Sequence, residues 1–434
     1  MDQFSPDFLI GAATASHQVE GNNTGSDCWA MEHMEHTTYN EPSLDAVDHY
    51  HRYREDIRLM AEAGLNAYRF STEWARIEPE EGRFDEAEAL HYLDVIRCCR
   101  EYGLEPVVTL HHFSSPKWLI SKGGWEAEST VEDFARYTRY IVGKLGSELR
   151  YICTINEANM GIQVAAIAKR YTLQMMAKTA RTQADNGPGR SDGAVQAGFN
   201  LEKMMAGAKG AAEENLRVFG VEKTENFTSM RTLKGDQIVC RAHEAARAVI
   251  RELYPAIRVG LTLSLHDIQA VEGGEANAEK EWADEFTHYL PCIREDDFLG
   301  VQNYTRTLTG PEGTLPAPEG AELTQMEYEF YPQALEHVIR RVAADFKGDL
   351  LVTENGIATN DDSRRSAFIS QALSGVHSCI RDGLPVRGYF HWSLLDNFEW
   401  QKGYSMTFGL IAVDRATQTR YPKESLSFLG SFRG

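Results

Sequence analysis

Eight short apolar runs punctuate the chain: FLIGAATASH (8–17), NAYRFSTEW (66–74), EPVVTLHHF (105–113), YICTINE (151–157), IRVGLTLSL (257–265), FLGVQNY (298–304), LLVTENG (350–356) and VRGYFHWSL (386–394). Most are continuously apolar instead of alternating, which is how strands buried on both faces of a parallel sheet read. Between them lie stretches with apolar residues at helical spacing. Residues 47–63, 86–102 and 130–145 stop before Gly64, Gly103 and Gly146, and residues 235–253 stop near Pro255. Residues 332–346 open on Pro332, a favoured first helical position, and residues 363–382 lead into DGLP. Strand–helix alternation repeated eight times predicts an α/β protein, a single (β/α)₈ TIM barrel spanning residues 1–434. An open doubly wound sheet is the competing architecture.

Residues 158–234 break this rhythm. Two helix-like runs, around 162–181 and 199–215, flank the polar loop RTQADNGPGRSDG. In a barrel this is a long insertion after strand 4, on the strand C-terminal face where barrel active sites are built. GPGRSDG does not match G-x-G-x-x-G and follows no strand, so it reads as a turn and not as a phosphate loop.

Composition narrows the partners. A chain of 434 residues with 42% hydrophobic and 25% charged residues has ample material for one large core. Its formal net charge of −20 opposes nucleic acid and anionic membrane, so neither is expected as a partner. The seven cysteines are odd in number, irregularly spaced and without C-x-x-C, which fits reduced thiols in the cytoplasm. No secretory leader and no membrane-length apolar stretch is apparent.

Polar residues cluster at or just past the strand ends: Gln18 and Glu20, Arg69 and Glu73, His111 and His112, Asn156 and Glu157, Asn303 and Tyr304, Glu354 and Asn355, then Trp392, Asp396 and Glu399. Any one of them alone reads as a solvated strand end. In a barrel, though, all eight ends converge on one mouth. Glu157 and Glu354, far apart in sequence, then face one pocket. Paired carboxylates flanking a cavity suit glycosidic bond cleavage, one protonated to donate to the leaving oxygen and one ionised to attack the anomeric carbon. Arg69 and Tyr304 are candidates to keep Glu354 anionic, and Glu157 would stay protonated because it faces that charge. Trp392 and Trp400 offer ring faces for a pyranose. His111 and His112, adjacent on one strand, cannot both face the mouth. No G-x-S-x-G or H-E-x-x-H occurs, and HMEH (33–36) has ligand spacing without a complementary cluster, so no metal is expected.

These residues name a family. SHQVEG (16–21), YRFSTEWARIEP (68–79), TLHHFSSPKWL (109–119), TINEA (154–158), VTENGIA (352–358) and WSLLDNFEW (392–400) followed by GYSMTFGLIAVD (403–414) resemble the signatures of glycoside hydrolase family 1, the β-glucosidase group, in the family's order and over nearly the whole chain. The resemblance implies a retaining β-glycosidase with no cofactor. Glu157 matches the acid/base and Glu354 the nucleophile. Gln18, His112, Asn156, Glu399 and Trp400 match residues that bind sugar hydroxyls, Trp392 matches the stacking platform, and Phe408 falls on the substrate side. Arg69 and Tyr304 match the nucleophile's partners.

The expected substrates are small β-glycosides or short oligosaccharides with a terminal β-D-glucosyl unit, galactosyl and fucosyl units also being accepted. Glu399 stands where the 6-phospho-β-glycosidase branch is expected to carry a small residue, and a carboxylate there repels a 6-phosphate. The alternatives are a 6-phospho-β-glycosidase, a dedicated β-galactosidase, or a silent sugar-binding barrel, which would be expected to lack one glutamate. Four departures from the family pattern remain: Ala158 in place of proline after the acid/base, Gln302 in place of asparagine, Thr407 in place of a basic residue, and the 158–234 stretch. Ala158, lacking proline's fixed φ, is expected to constrain the backbone after Glu157 less.

Overall fold

Eight strands pair in parallel around a closed barrel: β1 (Leu9–Ala13), β2 (Ala67–Ser71), β3 (Glu105–His111), β4 (Tyr151–Ile155), β5 (Arg258–Ser264), β6 (Phe298–Gln302), β7 (Asp349–Asn355) and β8 (Val386–Trp392). Each strand pairs with its neighbours in sequence, and β1 closes the ring on β8. The computed structural model describes residues 3–169 and 201–434, without the side chains of 201–209. The polar loop at 181–193 and residues 170–181 of the first helix-like run lie outside the described residues, whereas Leu201–Phe219 is helical where the second run was expected.

The continuous apolar runs have the physical origin inferred for them. β1, β2, β4 and β6 are buried at every position, between side chains filling the barrel and the helices around it. The helices fall where the periodicity placed them: His49–Glu62, Glu86–Glu101, Ser129–Leu145, Leu233–Leu253, Ala334–Asp345 and Asp362–Arg381. Asp85, Thr232 and Asp361 accept backbone N–H bonds at three of their starts. Gly64 and Gly103, at φ +94° and +74°, end two of them in the left-handed region that other residues reach at a cost.

Three boundaries differ from expectation. The sequence runs overshoot the strand C-termini, most of all at residues 8–17, where β1 ends at Ala13 and Ser16–Val19 coils into a short helix. There the side chains of Ser16 and His17 bond Glu73 and Glu32, so the chain leaves the ladder for side-chain partners. Pro332 lies in the turn ahead of its helix, which starts at Ala334 after Gln333. Gly146 ends its helix through a 3₁₀ turn with φ in the right-handed region.

Short elements cap the C-terminal mouth. Asp267–Ala270, Arg306–Gly310 and Gly313–Leu315 form a small sheet, and Ile411–Asp414 pairs with Thr419–Pro422. Residues 160–169 form a helix that begins the insertion after β4.

Candidate active site

The mouth is organised by one arginine. Arg69, in β2, is fully buried, and its guanidinium reaches three strands. Nη1 donates to Glu354 Oε1 at 2.6 Å, Nη2 to Asn156 Oδ1 at 2.6 Å, and Nε to Thr109 Oγ1 at 3.2 Å. Tyr304, just past β6, donates its hydroxyl to Glu354 Oε2 at 2.7 Å. Gln302, the last residue of β6, donates through Nε2 to Glu354 Oε1 at 3.0 Å and to Asn156 Oδ1 at 2.7 Å. Both oxygens of Glu354 are thus held, one by a cation and an amide and the other by a phenol, the strong charge-assisted class of hydrogen bond.

Glu157 is placed by its backbone. It follows β4 with φ +43°, left-handed and unusual for a residue with a side chain. Such a conformation costs roughly 1–3 kcal/mol and survives only where its surroundings over-determine it. Here they do. Glu157 N–H donates to Thr262 Oγ1 (2.9 Å), Ala158 N–H to Thr262 O (3.0 Å), and Arg231 Nη1 to Ala158 O (2.6 Å). This corrects the expectation for Ala158. The segment is pinned through an N–H that proline does not possess.

The two carboxyls sit in different fields. Burial pushes Glu157 well above the ordinary carboxylate range, with the negative charge of Glu354 adding to it and Arg69 opposing. Burial is therefore the first cause and the facing charge the second, whereas the sequence-based expectation named the facing charge alone. Glu354 is also raised by burial, but Arg69 and the Tyr304 hydroxyl pull it back. Among the described residues the Glu157 carboxyl makes no hydrogen bond or ion pair. Burial and the facing charge thus favour the proton on Glu157 over Glu354.

A cavity of about 290 Å³ lies between them, lined by His112, Phe113, Glu157, Tyr304, Glu354, Trp392, Glu399, Trp400 and Phe408. His112 Nε2 accepts from Asn156 Nδ2 at 3.1 Å, which leaves the ring proton on Nδ1, an atom without a protein partner. Burial and Arg69 keep this ring neutral. The His112 ring stacks on Trp392 and on Trp400. Gln18 Nε2 donates to Phe398 O at 2.8 Å and lies 3.4 Å from Glu399 Oε2, and its Oε1 has no protein partner. A donor on one wall and an acceptor on another, between aromatic faces, suit a ring bearing several hydroxyls.

Other strand-end candidates serve the frame. His111 turns away to Ser115 and packs on Trp125 and Phe227, so one of the two histidines faces the mouth. Glu20 pairs with Arg76 and Glu73 accepts from Ser16 and Ser114. Asn303 donates to Leu265 O, Asn355 to Asn303 O, and Asp396 accepts from Lys423. In HMEH, His33 contacts Trp29 O and His36 contacts Glu214. Among the described residues no three His, Cys, Asp or Glu side chains gather as a metal site.

Three residues at the site were not singled out by sequence as functional. Gln302 was visible only as a departure from the family pattern. Phe113, at φ +67°, follows His112 with no polar atom to mark it. Tyr328, from the loop after β6, joins the apolar cluster of Tyr304, Trp392 and Phe408, and nothing in the sequence pointed to it.

A family model described as Glycosyl hydrolase family 1 matches residues 1–182 and 285–433. Among curated relatives, β-glucosidase A of Thermotoga maritima (strain MSB8) is 29% identical over 452 residues, covering 98% of this chain and 96% of its own. A 6-phospho-β-galactosidase of Lacticaseibacillus casei (strain BL23) is 28% identical, covering 99% of this chain and 98% of its own. The crystal structure of β-glycosidase BGL167 matches with a TM-score of 0.85 and 46% identity, over 99% of this chain and 96% of that one.

Proposed function

This chain belongs to glycosyl hydrolase family 1 and is a glycoside hydrolase of the β-glucosidase type, and we propose that it removes terminal β-D-glucosyl residues by the retaining route, with Glu354 as nucleophile and Glu157 as acid/base. The observation that carries the assignment of roles is the asymmetry of the carboxyls. Three donors favour the ionised form of Glu354, and Glu157 is buried without a partner for its carboxyl among the described residues.

In the first step a Glu354 oxygen bonds the anomeric carbon. The glycosidic C–O bond breaks, and the Glu157 proton passes to the leaving oxygen. In the second step Glu157, now ionised, takes a proton from water, whose oxygen displaces Glu354 from the sugar. Arg69 and Tyr304 stabilise the carboxylate released. Asn156, locked between Arg69, Gln302 and His112, presents its remaining amide hydrogen to the 2-hydroxyl.

Glu399 bears on the sugar. It is 3% exposed and lines the cavity, and among the described lining residues there is no Lys or Arg. A 6-phosphate about 4 Å from this carboxylate is opposed by roughly 4 kcal/mol at an effective dielectric of 20. The 4-nitrophenyl β-glucoside is therefore expected to exceed its 6-phosphate in kcat/KM by about 10³-fold, with the galactoside and fucoside accepted. Faster turnover of the phosphorylated sugar would overturn this reading and favour the activity named for the Lacticaseibacillus relative.

Gln302 should act on the nucleophile. Gln302→Leu removes a donor from Glu354 and from Asn156, and a hydrogen bond to a charged group is worth about 1.5–3 kcal/mol. The expected loss in kcat/KM is about 10- to 100-fold. The acid limb of the pH profile should also move upward, because Glu354 loses a partner of its ionised form. An unmoved acid limb would assign Gln302 to packing.

We place the described start of the insertion, helix 160–169, on the aglycone side, since it starts three residues after Glu157. Substitutions on this helix should reorder leaving groups and leave the glucoside-to-galactoside ratio unchanged. The seven cysteines are free thiols, six of them buried, which supports a cytoplasmic setting. Recovery of the tagged protein outside the cytoplasm on fractionation would refute it. Among the described residues no helix is long and apolar enough to cross a membrane.

A further inference from the structure

A second cavity, of about 460 Å³ counting its opening to solvent, shares no lining residue with the first. Three elements wall it. Helix 160–169 contributes Ile162, Gln163, Ala166 and Ile167, successive positions on one helical face. The small sheet contributes Ile268 and its cross-strand partner Thr307. Helix Glu275–Glu285 contributes Glu281, Asp284 and Glu285 from one face. His266, between β5 and the small sheet, completes the lining.

Two buried side chains at this cavity carry a polar atom with no protein partner. Gln163, 5% exposed, is held through Nε2 on Ser264 O at 2.9 Å, and its Oε1 is unpartnered. The same helix is riveted to β5 by Asn159, which donates to Ser264 O at 2.6 Å and accepts from Ser264 N–H at 3.1 Å, so Gln163 has little freedom to turn away. His266, 3% exposed, sits with Nδ1 2.8 Å from Glu285 Oε1, and its backbone N–H bonds the other carboxylate oxygen. An ionised carboxylate only accepts, so Nδ1 carries the proton, and in the Nδ1–H tautomer the unpartnered Nε2 is an acceptor. Burial without a partner leaves such atoms desolvated and uncompensated.

Both orphaned atoms thus ask for a donor. Three carboxylates line the same space. Glu285 is occupied by His266, Glu281 accepts from Thr309 and Thr314, and Asp284 pairs at the rim with Lys280. Among the described residues no Lys or Arg lines the cavity itself. A neutral hydroxyl would satisfy the acceptors and leave the field unanswered. An anion is excluded by both. The isoleucines and Ala166 favour an apolar body behind the charged head.

We propose that this cavity is a second binding site, for an organic ammonium compound that inserts an alkyl or aryl group against Ile162, Ile167 and Ile268 and directs its N–H donors to Gln163 Oε1 and His266 Nε2. The site shares no lining residue with the sugar pocket.

The test is titration calorimetry of the full chain with benzylammonium chloride at neutral pH, with benzyl alcohol as the uncharged isostere. Saturable binding with Kd below about 10 mM is expected, and at least about tenfold weaker binding of the alcohol. Ala166 is exposed, so Ala166→Trp can fill the mouth without entering the core, and it should abolish binding of the amine while the circular dichroism of the folded chain is kept. Gln163→Met keeps the length and removes the acceptor, and should weaken binding several-fold. Undiminished binding to both variants places the amine elsewhere, including the sugar pocket, and overturns the proposal. No saturable binding to the unaltered chain, or equal affinity for the alcohol, overturns it as well.

Discussion

Glu354→Ala is expected to lower kcat for an aryl β-glucoside by roughly 10⁴-fold or more, because no other group stands ready to form the covalent intermediate. The effect should be chemical, since the substrate-binding residues are held by other contacts: His112 on Asn156, and Gln18 on Phe398. Removing the carboxylate leaves the Arg69 guanidinium buried beside Asn156 with no counter-charge, so stability is best controlled with Glu354→Gln, which retains an oxygen for Arg69. Azide entering the space left by the alanine should restore turnover and yield the α-glycosyl azide. It attacks from the side the carboxylate occupied, opposite the leaving group. Wild-type rates in the alanine variant, or rescue that yields the β-azide, would refute the assignment of nucleophile.

Glu157→Ala is expected to divide substrates by their leaving groups. For an alkyl glucoside, whose departing oxygen needs a proton, kcat/KM should fall by about 10²- to 10⁴-fold, the usual worth of a positioned acid. For a 2,4-dinitrophenyl glucoside kcat/KM should barely change, while kcat falls because water is no longer deprotonated in the second step. The pH profile adds a sign. Burial raises Glu157, and the protonated form is the active one, so kcat/KM declines as pH rises through its pKa. That alkaline limb should vanish in the alanine variant. Azide now attacks the glycosyl-enzyme from the face of the missing acid and should give the β-glycosyl azide. The two variants thus yield opposite anomers. A uniform loss across leaving groups, with the alkaline limb intact, would transfer the acid role to another residue.

Much of this site was legible because a parallel barrel imposes a simple rule. Each strand is buried on both faces, so it reads as an apolar run, and the first polar residues after it stand at a shared mouth. Asn156-Glu157 after β4, Tyr304 after β6, and Glu354 near the end of β7 follow from that rule alone. The rule could not separate the glutamates and amides of the pocket from those of its frame. Glu73 and Glu157 look alike in sequence, yet Glu73 is occupied by Ser16 and Ser114, and Glu157 by nothing among the described residues. Gln302 shows the same limit. As a string it is a departure from a pattern; in space its amide joins Glu354 to Asn156.

The amino-acid sequence by itself determined the barrel, the order of its strands, the pair of glutamates and the aromatics at the mouth, because these rest on local periodicity and on residue types at strand ends. Tertiary structure alone decided which carboxyl keeps the proton, since that depends on burial and on partners drawn from β2 and β6. It also decided that Ala158 is held by its N–H instead of being loosened by the lack of a proline ring. And it brought Gln163, His266 and Glu285 around a second cavity, from segments whose sequence spacing carries no trace of their meeting. Spacing along a chain encodes faces and ends; desolvation and unpaired atoms arise only once distant segments close over one another.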